Sequence, residues 1–198
     1  MSMAMMWQVM GVAVGLWWNE PRAEPAIPWD EMTALQKHVS FFDYDGDGYI
    51  TVAEDYRGLR ALDLAPGPAF AFAFAINGAL GTPTMGYPSL TISIYDIDDG
   101  IHGSDTGIYD SQGRFVPEQF ERLFADWDRN GSGGLDPVEL AARTIDDADL
   151  FDLFGVTASA AEVSLLFVVA AEDGELSRDR MRAFYDGTLF FELEAEGG

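Results

Sequence analysis

"LQKHVSFFDYDGDGYITVAED", residues 35–55, is the stretch that decides the fold. Asp43, Asp45 and Asp47 stand at positions one, three and five of a twelve-residue loop, with Gly48 at six and Glu54 at twelve. Tyr49 offers its backbone carbonyl at position seven, and Thr51 fills the water-linked position nine. Calcium takes six to eight hard oxygen ligands, and this spacing delivers them from one short turn. Such a loop lies between two helices, so the stretch predicts helices over 30–42 and 52–62. His38 falls on the entering helix, before the first ligand. Leu35, Val39 and Phe42 follow the spacing of a buried helix face, and His38 joins that face. An inward histidine there has two readings. One is a core histidine with a satisfied hydrogen bond, which the residues alone favour. The other is an axial ligand or acid–base group in an apolar pocket.

A second loop, "DRNGSGGLDPVE", runs from Asp128 to Glu139. Asp128, Asn130 and Ser132 occupy positions one, three and five; Gly133 is at six, Gly134 supplies a carbonyl, Asp136 is at nine and Glu139 at twelve. Fewer charges predict weaker calcium binding than at the first loop. "IYDSQGRFVPEQ" and "EDGELS" repeat the glycine and apolar positions without a full ligand set and read as non-binding hands. EF-hands pair through short strands at position eight, which predicts Ile50 against Phe115 and Leu135 against Leu176. Apolar periodicity predicts further helices over 117–126, 137–143, 159–171 and 177–185, and "LTISIY" alternates as a short strand. The expected fold is mostly α: EF-hand-like helix–loop–helix pairs with an inserted apolar, Pro-rich hairpin.

The composition narrows the function classes. Lys plus Arg total 11 against 34 Asp plus Glu, a net charge of -23, so nucleic acid phosphates would be repelled. The absence of cysteine excludes disulfides, thiolate catalysis, zinc–thiolate sites and iron–sulfur clusters. His38 and His102 are the two histidines that can bind a metal through nitrogen. His102 lies in "DDGIHGSDTGIYDSQGRF", where the flanking glycines mark a loop.

Two segments are unusually apolar. Met1–Trp18 carries no charge and lacks the positive start of a secretory signal. It suits a short membrane helix or an apolar helix docked on protein. The second, over 64–95, is also uncharged, and Pro66, Pro68, Pro83 and Pro88 alternate there with Gly78, Gly81 and Gly86. It reads as a short helix, a Pro-rich turn and a return strand, either in the core or against lipid.

Several of these stretches, in order, resemble the caleosins, the family that includes plant seed peroxygenases. "LQKHVSFFDYDGDGYITVAEDYRGLRAL" resembles their calcium-binding segment and "HGSDTGIYDSQGRFVPEQFERLF" their second signature block; "LFDLFG", "EDGELS" and "YDGTLF" resemble their C-terminal blocks. The resemblance implies a calcium-binding peroxygenase carrying haem b, attached to a membrane or lipid droplet and otherwise cytoplasmic. It implies lipid hydroperoxides and unsaturated fatty acids as substrates. It places His38 and His102 as the haem-iron histidines, one the proximal ligand, the other a sixth ligand or a distal acid–base group. Phe41, Phe42, Phe70, Phe72 and Phe74 then become candidates for an apolar substrate pocket or for plain packing. The organisation it suggests is an apolar N-terminal segment and linker over 1–29 and a caleosin-like domain over 30–190. Within that domain it sets an EF-hand over 30–62, a proline-knot-like insertion over 64–95, a second EF-hand over 117–145 and a helical part over 148–190. An acidic tail follows over 191–198. The alternative function is a non-catalytic, calcium-dependent module that binds membrane or a protein partner.

Overall fold

The protein is described by a computed structural model that covers residues 21–101, 107–146 and 163–197. The described elements are α1 (Ala34–Ser40), β1 (Tyr49–Ile50), α2 (Val52–Ala61), α3 (Pro66–Met85), β2 (Ile92–Ser93), a 3-10 turn (Ile97–Gly100), α4 (Pro117–Trp127), β3 (Gly134–Leu135), α5 (Pro137–Asp146), α6 (163–170), β4 (Leu176–Ser177), α7 (Arg178–Asp186) and α8 (Leu189–Gly197). The chain is mostly helical, with little sheet.

Thr33 starts α1 through a capping box: its side chain accepts from the Gln36 N–H while the Gln36 side chain accepts from the Thr33 N–H. That cap shortens the helix expected from residue 30, because the chain before it turns at Pro28. Thr51 and Glu54 form the same box at the start of α2. Two small antiparallel ladders join the loops. One pairs Gly134 with Ser177 and Leu135 with Leu176, the register expected from the loop positions.

The other ladder corrects an expectation. Ile50 pairs with Ile92, and Tyr49 with Ser93; Phe115 instead bridges locally to Tyr109. The apolar stretch is therefore not an insertion inside the first pair, because it supplies the partner strand itself. The alternation of "LTISIY" explains this. Ile92 and Ile94 are buried beside Ile50, so the pairing places three apolar side chains in the core at once.

The apolar stretch also forms one 20-residue helix rather than a short one. Pro66 and Pro68 sit at its start, where a proline costs no hydrogen bond. Pro83 lies inside the last turn, and the helix stops three residues later at Gly86, in the left-handed conformation. Among the described residues, no helix is long and apolar enough to cross a membrane. The face of α3 that carries Ala69, Ala73, Asn77, Gly81 and Thr84 is buried, and small residues there allow close packing on α2 and β2. The opposite face exposes Phe70 and Phe74. These two rings, four residues apart, are exposed, whereas Phe72 packs against the core.

Residues 191–197 of the expected acidic tail continue α8, which begins at Leu189. Leu189 and Phe190 are buried and Phe191 is packed on the core, while Glu194 and Glu196 pair with Arg22 and Arg180. The acidic composition concealed an apolar face. Met1–Trp18 and "LFDLFG" lie outside the described residues.

Candidate calcium loop and histidine site

The first loop folds around its own carboxylates. Asp43 accepts from the N–H groups of Gly46, Asp47 and Gly48, and Asp47 accepts from Tyr49. Carboxylate oxygens of Asp43, Asp45 and Asp47 come within 4.8 Å of one another. Glu54 is buried. Its Oε2 accepts from the Thr51 N–H and hydroxyl, while its Oε1 is buried with no hydrogen-bond partner among the described residues. A buried carboxylate oxygen left alone is costly, and three further carboxylates at one point repel each other. Asp43 registers that crowding. Burial, then the Glu54 charge and that of Asp47, push its carboxyl up to about 6, against the Gly48 and Gly46 N–H groups. A hard divalent cation would remove both penalties, so the donor set fits calcium. Thr51 spends its side chain on the helix cap.

The second loop has the same backbone course with different satisfaction. Asp128 accepts from Ser132 and Gly133, and Asp136 caps α5 through the Val138 and Glu139 N–H groups. Glu139 Oε1 accepts from Arg129 and Asn130, and its Oε2 from Asp136. Both oxygens of Glu139 thus have backbone partners, whereas Glu54 leaves one without any. Asn130 and Ser132 stand where the first loop has acids, so less negative charge converges here.

His38 lies half-buried in an aromatic box. Its ring meets Phe184 edge-on at 4.5 Å between centroids and Phe190 at 4.9 Å; Phe41 packs on Phe190 at 5.5 Å. Its Nδ1 lies 3.3 Å from the carbonyl oxygen of Phe184. A carbonyl can only accept, so Nδ1 carries the proton and Nε2 keeps its lone pair. Desolvation lowers the imidazole pKa to about 4, with the Phe184 carbonyl opposing, so the ring stays neutral. A neutral imidazole with Nδ1 fixed by a carbonyl and Nε2 unprotonated is the form that ligates a metal. The donor chemistry therefore fits a haem iron. Gly187 makes the box possible. It ends α7 in the left-handed conformation, and a Cβ there would stand 2.5 Å from Lys37 Cβ and 2.7 Å from the His38 nitrogen. His102, its expected companion, lies outside the described residues.

The two sites share one short helix: α1 presents His38, is capped by Phe41 and leads through Phe42 into Asp43. Sequence reading missed the partners from far along the chain. Phe184 lies just before "YDGTLF" and Phe190 ends it, and that aromatic–glycine pattern was their available signal. It also missed Asn77, a fully buried amide inside the apolar helix, which donates to Asp55 and to the Ala73 carbonyl. Burial pushes the Asp55 carboxyl well up, with the Asn77 amide opposing, and this hydrogen bond joins α3 to the helix that follows the first loop.

No solved structure matches the chain. A peroxygenase of Lilium longiflorum is 34% identical over 172 residues, covering 83% of this chain and 71% of that protein. A protein of Arabidopsis thaliana named "Probable peroxygenase 4" is 31% identical over 172 residues, covering 84% of this chain and 88% of that protein. Another Arabidopsis thaliana protein, named "Probable inactive peroxygenase-like protein", is 33% identical over 89 residues, 45% of this chain and 43% of its own. The profile described as "Caleosin related protein" matches residues 30–194, which take in both candidate calcium loops, the apolar helix and the His38 box, and the chain therefore belongs to the caleosin family.

Proposed function

We propose that the chain is a calcium-binding, haem-dependent peroxygenase that works at a membrane or lipid surface, with lipid hydroperoxide as oxygen donor and unsaturated fatty acid as acceptor. The observation that carries this reading is His38: neutral, fixed through Nδ1 by the Phe184 carbonyl, with Nε2 unprotonated inside a phenylalanine box. The peroxygenase names of the relatives support the reaction class. His38 Nε2 would hold the haem iron, and His102 is proposed as the second histidine. Haem, when bound, would supply peroxide O–O cleavage and transfer of one oxygen atom to the acceptor.

The chain's own residues do the rest. The Phe184 carbonyl orients the His38 ring and keeps the proton on Nδ1. Phe184 and Phe190 pack against that ring, and Phe41 backs Phe190. His102, if distal, would move a proton between the peroxide oxygens. Asp43, Asp45, Asp47, the Tyr49 carbonyl and Glu54, with Thr51 at the water-linked position, would hold calcium and so fix the end of the helix that presents His38. Asp128, Asn130, Ser132, Gly134, Asp136 and Glu139 form a second, weaker site. The uncharged outer face of α3, with Phe70 and Phe74 exposed, supports contact with a lipid surface without spanning it.

The test is an absorbance spectrum of the purified chain after haem supplementation. A Soret band is expected, lost in His38→Ala and diminished by calcium chelation, together with hydroperoxide-dependent epoxidation of an unsaturated fatty acid. The relative named inactive favours a second reading, a non-catalytic calcium-dependent binding module. A colourless protein that still binds calcium would establish that reading instead.

A further inference from the structure

We propose that Arg22 is a positioning residue for the first calcium loop, holding the Phe41 carbonyl on one side of Asp43 and the Tyr44 side chain on the other so that the first ligand is preset. This rests on the reading of that loop as a calcium site. The segment before α1 runs as a strap over the loop and the His38 box. The Ala23 N–H donates to the Tyr44 carbonyl at 3.0 Å, and the Glu24 carbonyl fills the space where Gly46 has no side chain. Further along, Trp29 meets Phe191 edge-on at 5.4 Å.

Arg22 is the centre of the strap. Its guanidinium donates to the Phe41 carbonyl, to the Tyr44 hydroxyl at 2.8 Å and to Glu194 Oε1 at 2.9 Å. It also lies over two rings, 4.0 Å from the centre of Phe41 and 3.8 Å from that of Tyr44. Phe41 is the C-terminal cap of the helix bearing His38, and Tyr44 is position two of the loop. Asp43 lies between them. One planar cation thus fixes the residue pair that brackets the first ligand and ties both to α8. Arg57, from α2, stands 3.8 Å from the centre of the same Tyr44 ring. Two guanidinium groups cannot share one face at that distance, so Tyr44 is held between the strap and the exit helix.

The clamp works by preorganisation. Calcium binding requires Asp43 to be in place; a loop whose first ligand is already held loses less freedom when the ion arrives. The planar, multi-donor guanidinium is required, because a lysine ammonium can reach Glu194 or a carbonyl but cannot stack between two rings while bonding three acceptors. The cation also lies over Phe41, which packs on Phe190 and Phe191, so the same residue backs the His38 box.

The test is calorimetric calcium titration of the full chain in a Glu139→Gln background, which leaves the first loop as the site read. Arg22→Ala is expected to raise the calcium Kd about fivefold or more, the lower range of coupling between linked sites. Arg22→Lys should give an intermediate weakening, and it carries the test if Arg22→Ala does not fold. Arg180→Ala is the control, since it removes an arginine paired with Glu172 and Glu196 away from the loop; its Kd should stay at the parent value. Unchanged affinity in Arg22→Ala, or an equal loss in Arg180→Ala, overturns the clamp. Absence of calcium heat in the parent, or heat that survives Glu54→Gln, overturns the calcium reading itself.

Discussion

Gly187→Ala is the sharpest probe of how His38 is placed. Gly187 has φ +89, and an alanine held there pays roughly 1–2 kcal/mol for the left-handed conformation alone. The new Cβ would also stand 2.5 Å from Lys37 Cβ, and 2.7 Å from both the Ala34 oxygen and the His38 nitrogen. Two of those three atoms are backbone of α1, so no side-chain rotation relieves the clash. The helix must shift, at an overpacking cost of about 1–3 kcal/mol. The two effects sum to about 2–5 kcal/mol. For a chain of this size, 1 kcal/mol moves the midpoint by about 2–4 °C, so Tm should fall by about 4–20 °C. Gly86 provides the comparison. It too ends a helix at positive φ, +70, but an added Cβ meets nothing within 4 Å. Gly86→Ala should therefore cost the conformational part alone, about 1–2 kcal/mol. Circular dichroism melts of both variants, in calcium and in chelator, measure the difference. Equal shifts for the two would refute the close approach of α1 and α7, and with it the geometry of the His38 box.

The metal-free Asp43 carboxyl, raised from 3.8 to about 6, makes calcium compete with a proton. Calcium affinity at the first loop should fall about tenfold per pH unit below about 6, for the one proton displaced. In the metal-free protein the same raised value makes Asp43's contribution to stability fall as pH rises through that window, because the folded state then holds the extra proton. Calorimetry at pH 5 and 7 checks the first, and chelated melts across that range the second. Asn77→Leu removes the donor to buried Asp55 and should destabilise the protein by about 1–3 kcal/mol in urea unfolding. Adding Asp55→Leu should recover part of that loss, since replacing both partners leaves no polar group stranded.

The convergence of Asp43, Asp45 and Asp47 was legible in the residues because loop chemistry is local. Six side-chain and backbone positions within one twelve-residue turn specify a calcium loop whatever surrounds it, and the structure brings Asp43, Asp45 and Asp47 together as their spacing implies. The Leu135–Leu176 register was legible for the same reason, each residue being fixed by its own loop. The Ile50 pairing was not. Phe115 and Ile92 are both apolar residues in short extended segments, and choosing between them requires knowing that α3 returns the chain beside β1. The exposure of Phe70 and Phe74 was equally hidden, since alternate phenylalanines in an uncharged run carry no sign of which face packs.

His38 marks the division most clearly. Its place on the helix, four residues before Phe42, follows from the sequence and points it inward. Its tautomer, its neutrality and its aromatic box come from Phe184 and Phe190, nearly 150 positions away in the chain. Those contacts exist because Gly187 lets two helices touch and because Arg22 ties the strap and α8 to the end of α1. Local spacing can specify which atoms are offered to a metal. The protonation and packing of those atoms depend on desolvation by distant parts of the chain, which only the tertiary structure decides.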